Sequence, residues 1–214
     1  MDDQQYINLY HEISEKAIEN VFKRFTEYSK LILTESDLKC WLFLELQKEI
    51  EKIDENTLSA YSEVTHYASK EDKNNKRFRD LTLLDSKNLK LNEDIWKNNE
   101  ANIHALNKGF NHDGPAMHFE LKLIRQGIDE KSSGMVDTSD ISNLNDVDCT
   151  NRAYTIIWVS KNKNFTINNL EEKFKESLQT LNRPCLFKMK LFRIYLFDIE
   201  HYKCFKSDDI ILLE

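Results

Sequence analysis

Glycine and proline are scarce in this chain of 214 residues, which contains only four glycines and two prolines. A long flexible linker is usually richer in these residues, so the composition argues against two loosely connected domains. The length suits one domain of ordinary size with a substantial core. The sequence therefore predicts a single domain over residues 1–214.

Cysteine is also rare, and its four positions (Cys40, Cys149, Cys185 and Cys204) are widely separated. They form no CxxC pair and are too few for a disulfide scaffold. HExxH is missing as well, so a zinc site has no support in the sequence. We expect the cysteines to be buried free thiols in a reducing compartment.

Long apolar stretches are missing too. No segment approaches the roughly 18 apolar residues that a membrane-spanning helix needs, and residues 1–5 are polar and acidic, unlike a secretory signal. Hydrophobic residues make up 40% of the chain and charged residues 31%, which is typical of soluble globular proteins. These features predict a cytoplasmic protein that does not contact the membrane.

The net charge of −7 counts against a protein that coats nucleic acid generally. Two segments nevertheless carry a local positive excess. Residues 70–90 contain seven Lys and Arg against four Asp and Glu, and residues 161–193 contain eight against three. A phosphate-binding surface on an otherwise acidic protein is compatible with this distribution, and so is ordinary solvated surface.

Hydrophobic periodicity predicts the helices. A 3.6-residue stripe runs through residues 3–30, and a second helix should begin after an N-cap at Thr34, with Asp37 in a capping box, and end near residue 52. This second helix is expected to bury Leu38, Trp41, Leu42, Leu44 and Leu46. Further helices are predicted around residues 93–108, 138–148 and 165–180.

Strands are predicted at residues 59–68, 77–85, 116–124, 153–159 and 190–200, the first of them weakly. The order of elements indicates an α/β fold with a mixed central β-sheet flanked by helices. Residues 1–30 would form an N-terminal helix and residues 31–200 the core. Residues 86–115 would be an insertion between core strands.

The segment 117–124 is the most informative strand. Its alternation places Met117, Phe119, Leu121 and Leu123 on one apolar face. Glu120 and Lys122 share the opposite face, where burial is costly unless the charges are paired or bind something charged. An exposed strand face explains the pattern as well, but sheltered ionisable groups gather where chemistry happens.

Three segments, in this order, carry a family resemblance: Thr34–Leu38, Arg79–Leu84 and His118–Lys122. Their order and strand context resemble the PD-(D/E)XK nuclease superfamily, whose core is an αβββαβ arrangement, over roughly residues 30–160. The resemblance implies a restriction-endonuclease-like core. The proline that usually precedes the Asp of the family motif is replaced here by Arg79, and 39 residues separate Asp80 from Glu120.

The resemblance also implies roles for single residues. Asp80 and Glu120 would be the principal ligands of Mg²⁺, which Mn²⁺ could replace, together with the carbonyl of Leu121. Glu35 would supply an outer or second-metal carboxylate, and Lys122 would orient or help to deprotonate the attacking water. Phosphodiester hydrolysis needs these groups because a hard metal ion neutralises the phosphoryl oxygens and activates water.

The sequence therefore predicts a metal-dependent endonuclease, with DNA favoured as substrate and a homodimer or a larger nuclease complex as the assembly. The main alternative is a nuclease-like subunit without catalysis that serves for binding or assembly in a restriction or defence complex. A third interpretation is a protein-binding module in which Glu120 and Lys122 form a simple salt bridge. A histidine-metal nuclease using His104, His112 and His118 is disfavoured, because that family needs a compact hairpin-helix metal site and His112 lies in a predicted loop.

Two choices of acid stay open in the sequence. Asp85 competes with Asp80, although strand alternation would place the two on opposite faces. Glu45 competes with Glu35 on the second predicted helix. The match to the family segments favours Asp80 and Glu35.

Overall fold

The computed structural model describes residues 1–53, 57–67, 76–91, 110–112, 114–125, 152–180, 192–206 and 209. The helices are α1 (Asp3–Glu27), α2 (Glu35–Ile50) and α3 (Ile167–Thr180), with 3₁₀ turns at Ser29–Leu31 and Ser86–Asn88. The strands are β1 (Leu58–Tyr67), β2 (Lys76–Asp85), β3 (Leu89–Leu91), β4 (Phe110–His112), β5 (Ala116–Ile124), β6 (Arg152–Ser160), β7 (Phe192–Phe197) and β8 (Tyr202–Lys206).

The capping box predicted at the start of α2 is confirmed. The backbone N–H of Asp37 donates to the Thr34 hydroxyl at 3.1 Å, and the backbone N–H of Thr34 donates to the Asp37 carboxylate at 2.8 Å. These two bonds satisfy donors that the first turn of a helix otherwise leaves unpaired. They fix where α2 begins, and therefore where Glu35 lies.

Six strands form one mixed sheet in the order β1-β2-β5-β6-β7-β8. The strands β5, β6 and β7 are parallel, and the remaining neighbours are antiparallel. Parallel neighbours require a crossover connection, and α3 lies within the one that joins β6 to β7. The mixed α/β architecture with flanking helices is thus confirmed.

Helices cover both faces of the sheet. On one face α1 and α2 pack on an apolar layer that includes Leu83, Phe119 and Leu121. On the other face α3 packs through Leu170 and Phe174 on a second layer from β6 and β7. The prediction that Phe119 and Leu121 belong to the buried apolar face of β5 is confirmed, because both are fully buried.

Several sequence predictions differ from the structure. Leu44 is 48% exposed, because it lies two residues, more than half a helical turn, after the buried Leu42. Cys40 is exposed and is not the buried thiol expected. The edge strand β8 was not predicted. The helices expected at 93–108 and 138–148 lie outside the described residues.

The segment between β2 and β5 contains a short two-stranded ladder. β3 pairs with β4 in antiparallel register, with Leu89 opposite His112 and Leu91 opposite Phe110. This ladder was not predicted, and its strands lie within residues 86–115. The insertion begins after Asp85, about 17 Å along the strand from Asp80 at 3.4 Å per residue.

Candidate functional site

β2 and β5 pair over only part of their length. Their register runs from Leu84 opposite Ala116 to Leu81 opposite Phe119. Beyond this point β2 continues to pair with β1, as far as Lys76, and β5 continues to pair with β6, as far as Ile124. The two central strands therefore diverge after Leu81 and Phe119, and a gap opens between them.

Two carboxylates cap the N–H groups of β5 that face this gap. The backbone N–H of Leu121 donates to Asp80 Oδ2 at 2.9 Å. The backbone N–H of Leu123 donates to the Glu35 carboxylate, which reaches the gap from the first turn of α2. Because buried backbone donors need partners, these side chains take the place of the missing ladder. The divergence thus brings together Glu35, Asp80 and the strand that carries Glu120.

Lys122 lies beside Glu35, with 4.0 Å between Lys122 Nζ and Glu35 Oε1. Burial raises the pKa of Glu35 above its ordinary value, and the negative charge of Asp80 raises it further. The ammonium of Lys122 and the N–H of Leu123 counteract part of this rise. Glu35 is consequently a better proton acceptor than an ordinary exposed carboxylate once it is ionised.

Glu120 lies next to an arginine, Arg79, for which no role in the site was predicted. Arg79 Nη1 lies 3.8 Å from Glu120 Oε2, and the Arg79 side chain is 2% exposed. The guanidinium carbon lies 5.6 Å from the ring centroid of Tyr154, in a cation–π contact. A buried guanidinium needs an anionic partner, and Glu120 is a carboxylate that lies next to Arg79.

His118 belongs to the packed wall of the site. Its ring lies 5.3 Å from the ring of Tyr154, and its Nδ1 is 3.0 Å from the hydroxyl oxygen of Thr82. The side chain is 1% exposed. These contacts give His118 a role in packing on β5.

Lys39 is another charged residue next to the gap, and it was not among the predicted site residues. Its Nζ lies 3.9 Å from Asp80 Oδ1, and its side chain is 21% exposed. Lys39 is four residues after Glu35 on α2, and residues with this spacing are neighbours on a helix surface. That spacing is the signal in the sequence that could have identified it.

The competing acid Asp85 has structural partners. It is 1% exposed, and it accepts hydrogen bonds from the Tyr6 hydroxyl at 2.7 Å and from the backbone N–H of Lys87 at 2.9 Å. Burial alone would raise the pKa of Asp85, but these donors hold it below the ordinary value. Asp85 joins the end of β2 to α1 and does not face the gap.

The competing acid Glu45 also lies elsewhere. It is buried between α1 and α2, with Arg24 Nε at 3.2 Å and Lys48 Nζ at 2.7 Å. Such a pair connects two helices, and removing one partner would leave a buried charge uncompensated. The structure therefore assigns Glu45 a packing role and brings Glu35 to the gap.

Two of the residues predicted to hold a metal ion, Asp80 and Glu120, carry carboxylate oxygens, which are the ligands that a hard cation prefers. The carbonyl of Leu121 points to the same side of β5 as the Leu121 N–H, which donates to Asp80. Mg²⁺ keeps several waters and needs one or two protein carboxylates. Within the described part of the chain, no group of three or more His, Cys, Asp or Glu side chains is placed to hold a metal ion.

Parts of the two basic segments lie outside the described residues, namely residues 70–75 of the first and 181–191 of the second. Over the described ranges, no helix is long and apolar enough to cross a membrane. Comparison of the chain with protein-family models, with curated proteins and with solved structures gives no match.

Proposed function

We propose that this protein is a metal-dependent endonuclease that hydrolyses phosphodiester bonds, with DNA as the favoured substrate and Mg²⁺ as the cofactor. The observation that carries the proposal is the gap between β2 and β5. Side chains from three separate elements meet there: Glu35 of α2, Asp80 of β2 and Lys122 of β5. Glu120 is on the same strand as Lys122, next to Arg79 of β2. Core packing alone does not require charged residues to converge at one break in a sheet.

The order of elements also supports the proposal. The helix α2 is followed by the antiparallel strands β1, β2 and β5, and then by β6, which is parallel to β5. This agrees with the αβββαβ arrangement of the PD-(D/E)XK superfamily, except that the segment between β5 and β6 lies outside the described residues. Asp80, Glu120 and Lys122 are on the two strands where the resemblance expects them.

In this mechanism Asp80, Glu120 and the carbonyl of Leu121 would hold the metal ion, with Glu35 as the outer carboxylate. The ion would supply charge neutralisation at the phosphoryl oxygens and a more acidic water. Lys122 Nζ would hold the attacking water by a hydrogen bond and offset the charge that develops at the phosphate. Glu35, with its raised pKa, would accept a proton from that water at Oε1.

The test is a cleavage assay with purified protein. Plasmid DNA, linear DNA and RNA are incubated with Mg²⁺ or Mn²⁺, and the products are separated by electrophoresis. We expect metal-dependent cleavage that disappears in Lys122→Ala and in Asp80→Asn. Lys173→Ala is a matched control, since Lys173 is a lysine on α3 that pairs with Glu176 at 2.6 Å.

Cleavage that survives both site substitutions would contradict the assignment of the site. Cleavage that is lost equally in Lys173→Ala would point to a general effect of charge on substrate binding. Circular dichroism of each variant establishes that the fold is retained, so that lost activity can be attributed to chemistry.

One observation favours the non-catalytic alternative, a binding or assembly subunit with a nuclease-like site. Each carboxylate at the gap already has a cationic neighbour within the chain: Lys122 for Glu35, Lys39 for Asp80 and Arg79 for Glu120. A site that has lost its metal would be expected to compensate its acids in this way. This alternative predicts no metal binding by calorimetry and no cleavage with either ion.

A further inference from the structure

A lysine at the end of β6 contacts the chain just before α2. Lys161 directly follows β6, and its backbone N–H donates to the carbonyl of Ile124, the last residue of β5, at 2.8 Å. Its side-chain Nζ donates to the carbonyl of Ile32 at 2.5 Å. Lys161 thus joins the ends of two parallel strands to the segment that leads into α2.

The peptide group between Ile32 and Leu33 is bonded on both sides. Its carbonyl accepts the hydrogen bond from Lys161, and its N–H donates to Asp37 Oδ2 at 3.0 Å. Asp37 also closes the capping box that begins α2. Because a peptide group is planar and rigid, these bonds connect Lys161 to the first turn of α2. Glu35 is the first residue of that turn.

The surroundings of Lys161 are those of an anchoring residue. Ile32 is buried, and a buried carbonyl needs a donor. A charged donor gives a stronger hydrogen bond than a neutral one. Burial lowers the pKa of Lys161, and the negative charge of Asp37 opposes this effect. Lys163, in contrast, is exposed to solvent in the same loop.

We propose that Lys161 is a positioning residue, which fixes the start of α2 against the ends of β5 and β6 and so holds the Glu35 carboxylate in the gap. The inference rests on the proposed function, in which Glu35 accepts a proton from the attacking water. Glu35 accepts the N–H of Leu123, and Lys161 is bonded to Ile124, the next residue of β5. Without the side-chain bond of Lys161, the first turn of α2 should move away from β5.

The pKa of Glu35 reports where its carboxylate lies. Burial raises this pKa most, and four neighbours also act on it: Asp80 raises it, whereas Lys122, the N–H of Leu123 and Lys39 lower it. The rise prevails, so a Glu35 carboxylate that leaves the gap should have a lower pKa, closer to the ordinary value. Removing the positive charge of Lys161 would by itself have the opposite effect, because a nearby ammonium stabilises a carboxylate.

The experiment follows the carboxyl carbon of Glu35 by ¹³C NMR during a pH titration of the full chain without metal. Lys161→Met keeps a side chain of similar length that cannot donate, and we expect it to lower the pKa of Glu35. Lys161→Arg keeps a charged donor and should retain the raised pKa. Lys163→Met is the matched control from the same loop and should also retain it. Lys161→Gln is a milder second variant, for which we expect a smaller change in the same direction.

Cleavage kinetics in Mn²⁺ measure the consequence for the proposed reaction. General-base catalysis contributes about 10²–10⁴-fold, so Lys161→Met should lower kcat by at least about tenfold with KM nearly unchanged, and Lys161→Arg should restore it. A pKa of Glu35 that stays the same or rises in both Lys161→Met and Lys161→Gln would overturn the positioning role. A lowered pKa in these variants, with no cleavage even by the unmodified chain, would refute the proposed function and leave the positioning of Glu35 standing.

Discussion

Asp85 and Asp80 lie five residues apart on β2, and we expect replacement of Asp85 to reduce mainly stability and replacement of Asp80 to reduce mainly metal binding. Asp85 is buried and accepts hydrogen bonds from Tyr6 and Lys87. A hydrogen bond to a charged group contributes about 1.5–3 kcal/mol, so Asp85→Ala should lower the free energy of unfolding by about 3 kcal/mol or more. For a chain of this length, about 3 kcal/mol corresponds to a fall in Tm of about 6–12 °C.

Asp80→Ala should cost much less. Asp80 accepts one backbone hydrogen bond, from Leu121, and its side chain is 22% exposed, so water can replace it. We expect a loss of about 1 kcal/mol or less. Metal binding should show the reverse order: Asp80→Ala loses Mn²⁺ affinity, whereas Asp85→Ala keeps it at temperatures where the variant is folded.

The assay combines thermal unfolding by circular dichroism with Mn²⁺ titration by calorimetry. Tyr6→Phe is a matched control for stability, because it removes only the hydroxyl that donates to Asp85, and it should lower Tm by about half as much. The reasoning is refuted if Asp80→Ala is the more destabilised variant, or if Asp85→Ala is the variant that loses Mn²⁺ binding while retaining its Tm.

Three further predictions concern the titration and packing of single residues. Burial raises the folded-state pKa of Glu35, so this residue contributes most to stability below about pH 4 and loses that contribution as the pH rises through the folded pKa. At pH 7, Glu35→Gln should therefore unfold at a higher temperature than the unmodified chain. A difference in unfolding temperature that persists at pH 3.5 would contradict this. Burial alone would raise the pKa of Asp198, but backbone N–H donors, including that of Ile167 at 2.8 Å, hold it below the ordinary value. Asp198→Asn should therefore destabilise the protein at pH 7. Urea titrations should show that the difference in free energy of unfolding between this variant and the unmodified chain shrinks as the pH falls below about 4. Phe174→Ala should lower the free energy of unfolding by about 3–5 kcal/mol, measured by urea denaturation, because the ring is fully buried against Trp158; a loss below about 1 kcal/mol would contradict this packing.

Local patterns were sufficient for most of the helices and strands that the structure describes. The alternation in residues 117–124 predicts which face of β5 is apolar, because a strand repeats every two residues. The capping box of Thr34 and Asp37 predicts the first residue of α2 correctly, because its two partners are only three positions apart in the sequence. The strand β8 could not be found this way, since its five polar and aromatic residues form a strand through pairing with β7.

The choice between acids needed contacts that span the chain. Asp80 and Asp85 are both on β2, and only the pairing of β2 with β5 distinguishes the residue at the gap from the residue bonded to Tyr6. The same is true of Glu35 and Glu45, which are both on α2. Local periodicity describes one element at a time, and these partners come from another element.

The sequence by itself determined the α/β class, the start of α2 and the grouping of Glu120 with Lys122 on one face of β5, because each depends on residues that are close along the chain. Only the tertiary structure decided that β2 and β5 diverge after four pairs of residues, and that Arg79 and Lys39 neutralise the acids at that gap. Strand divergence and charge pairing arise between elements, and their geometry exists only once the sheet and its helices have packed.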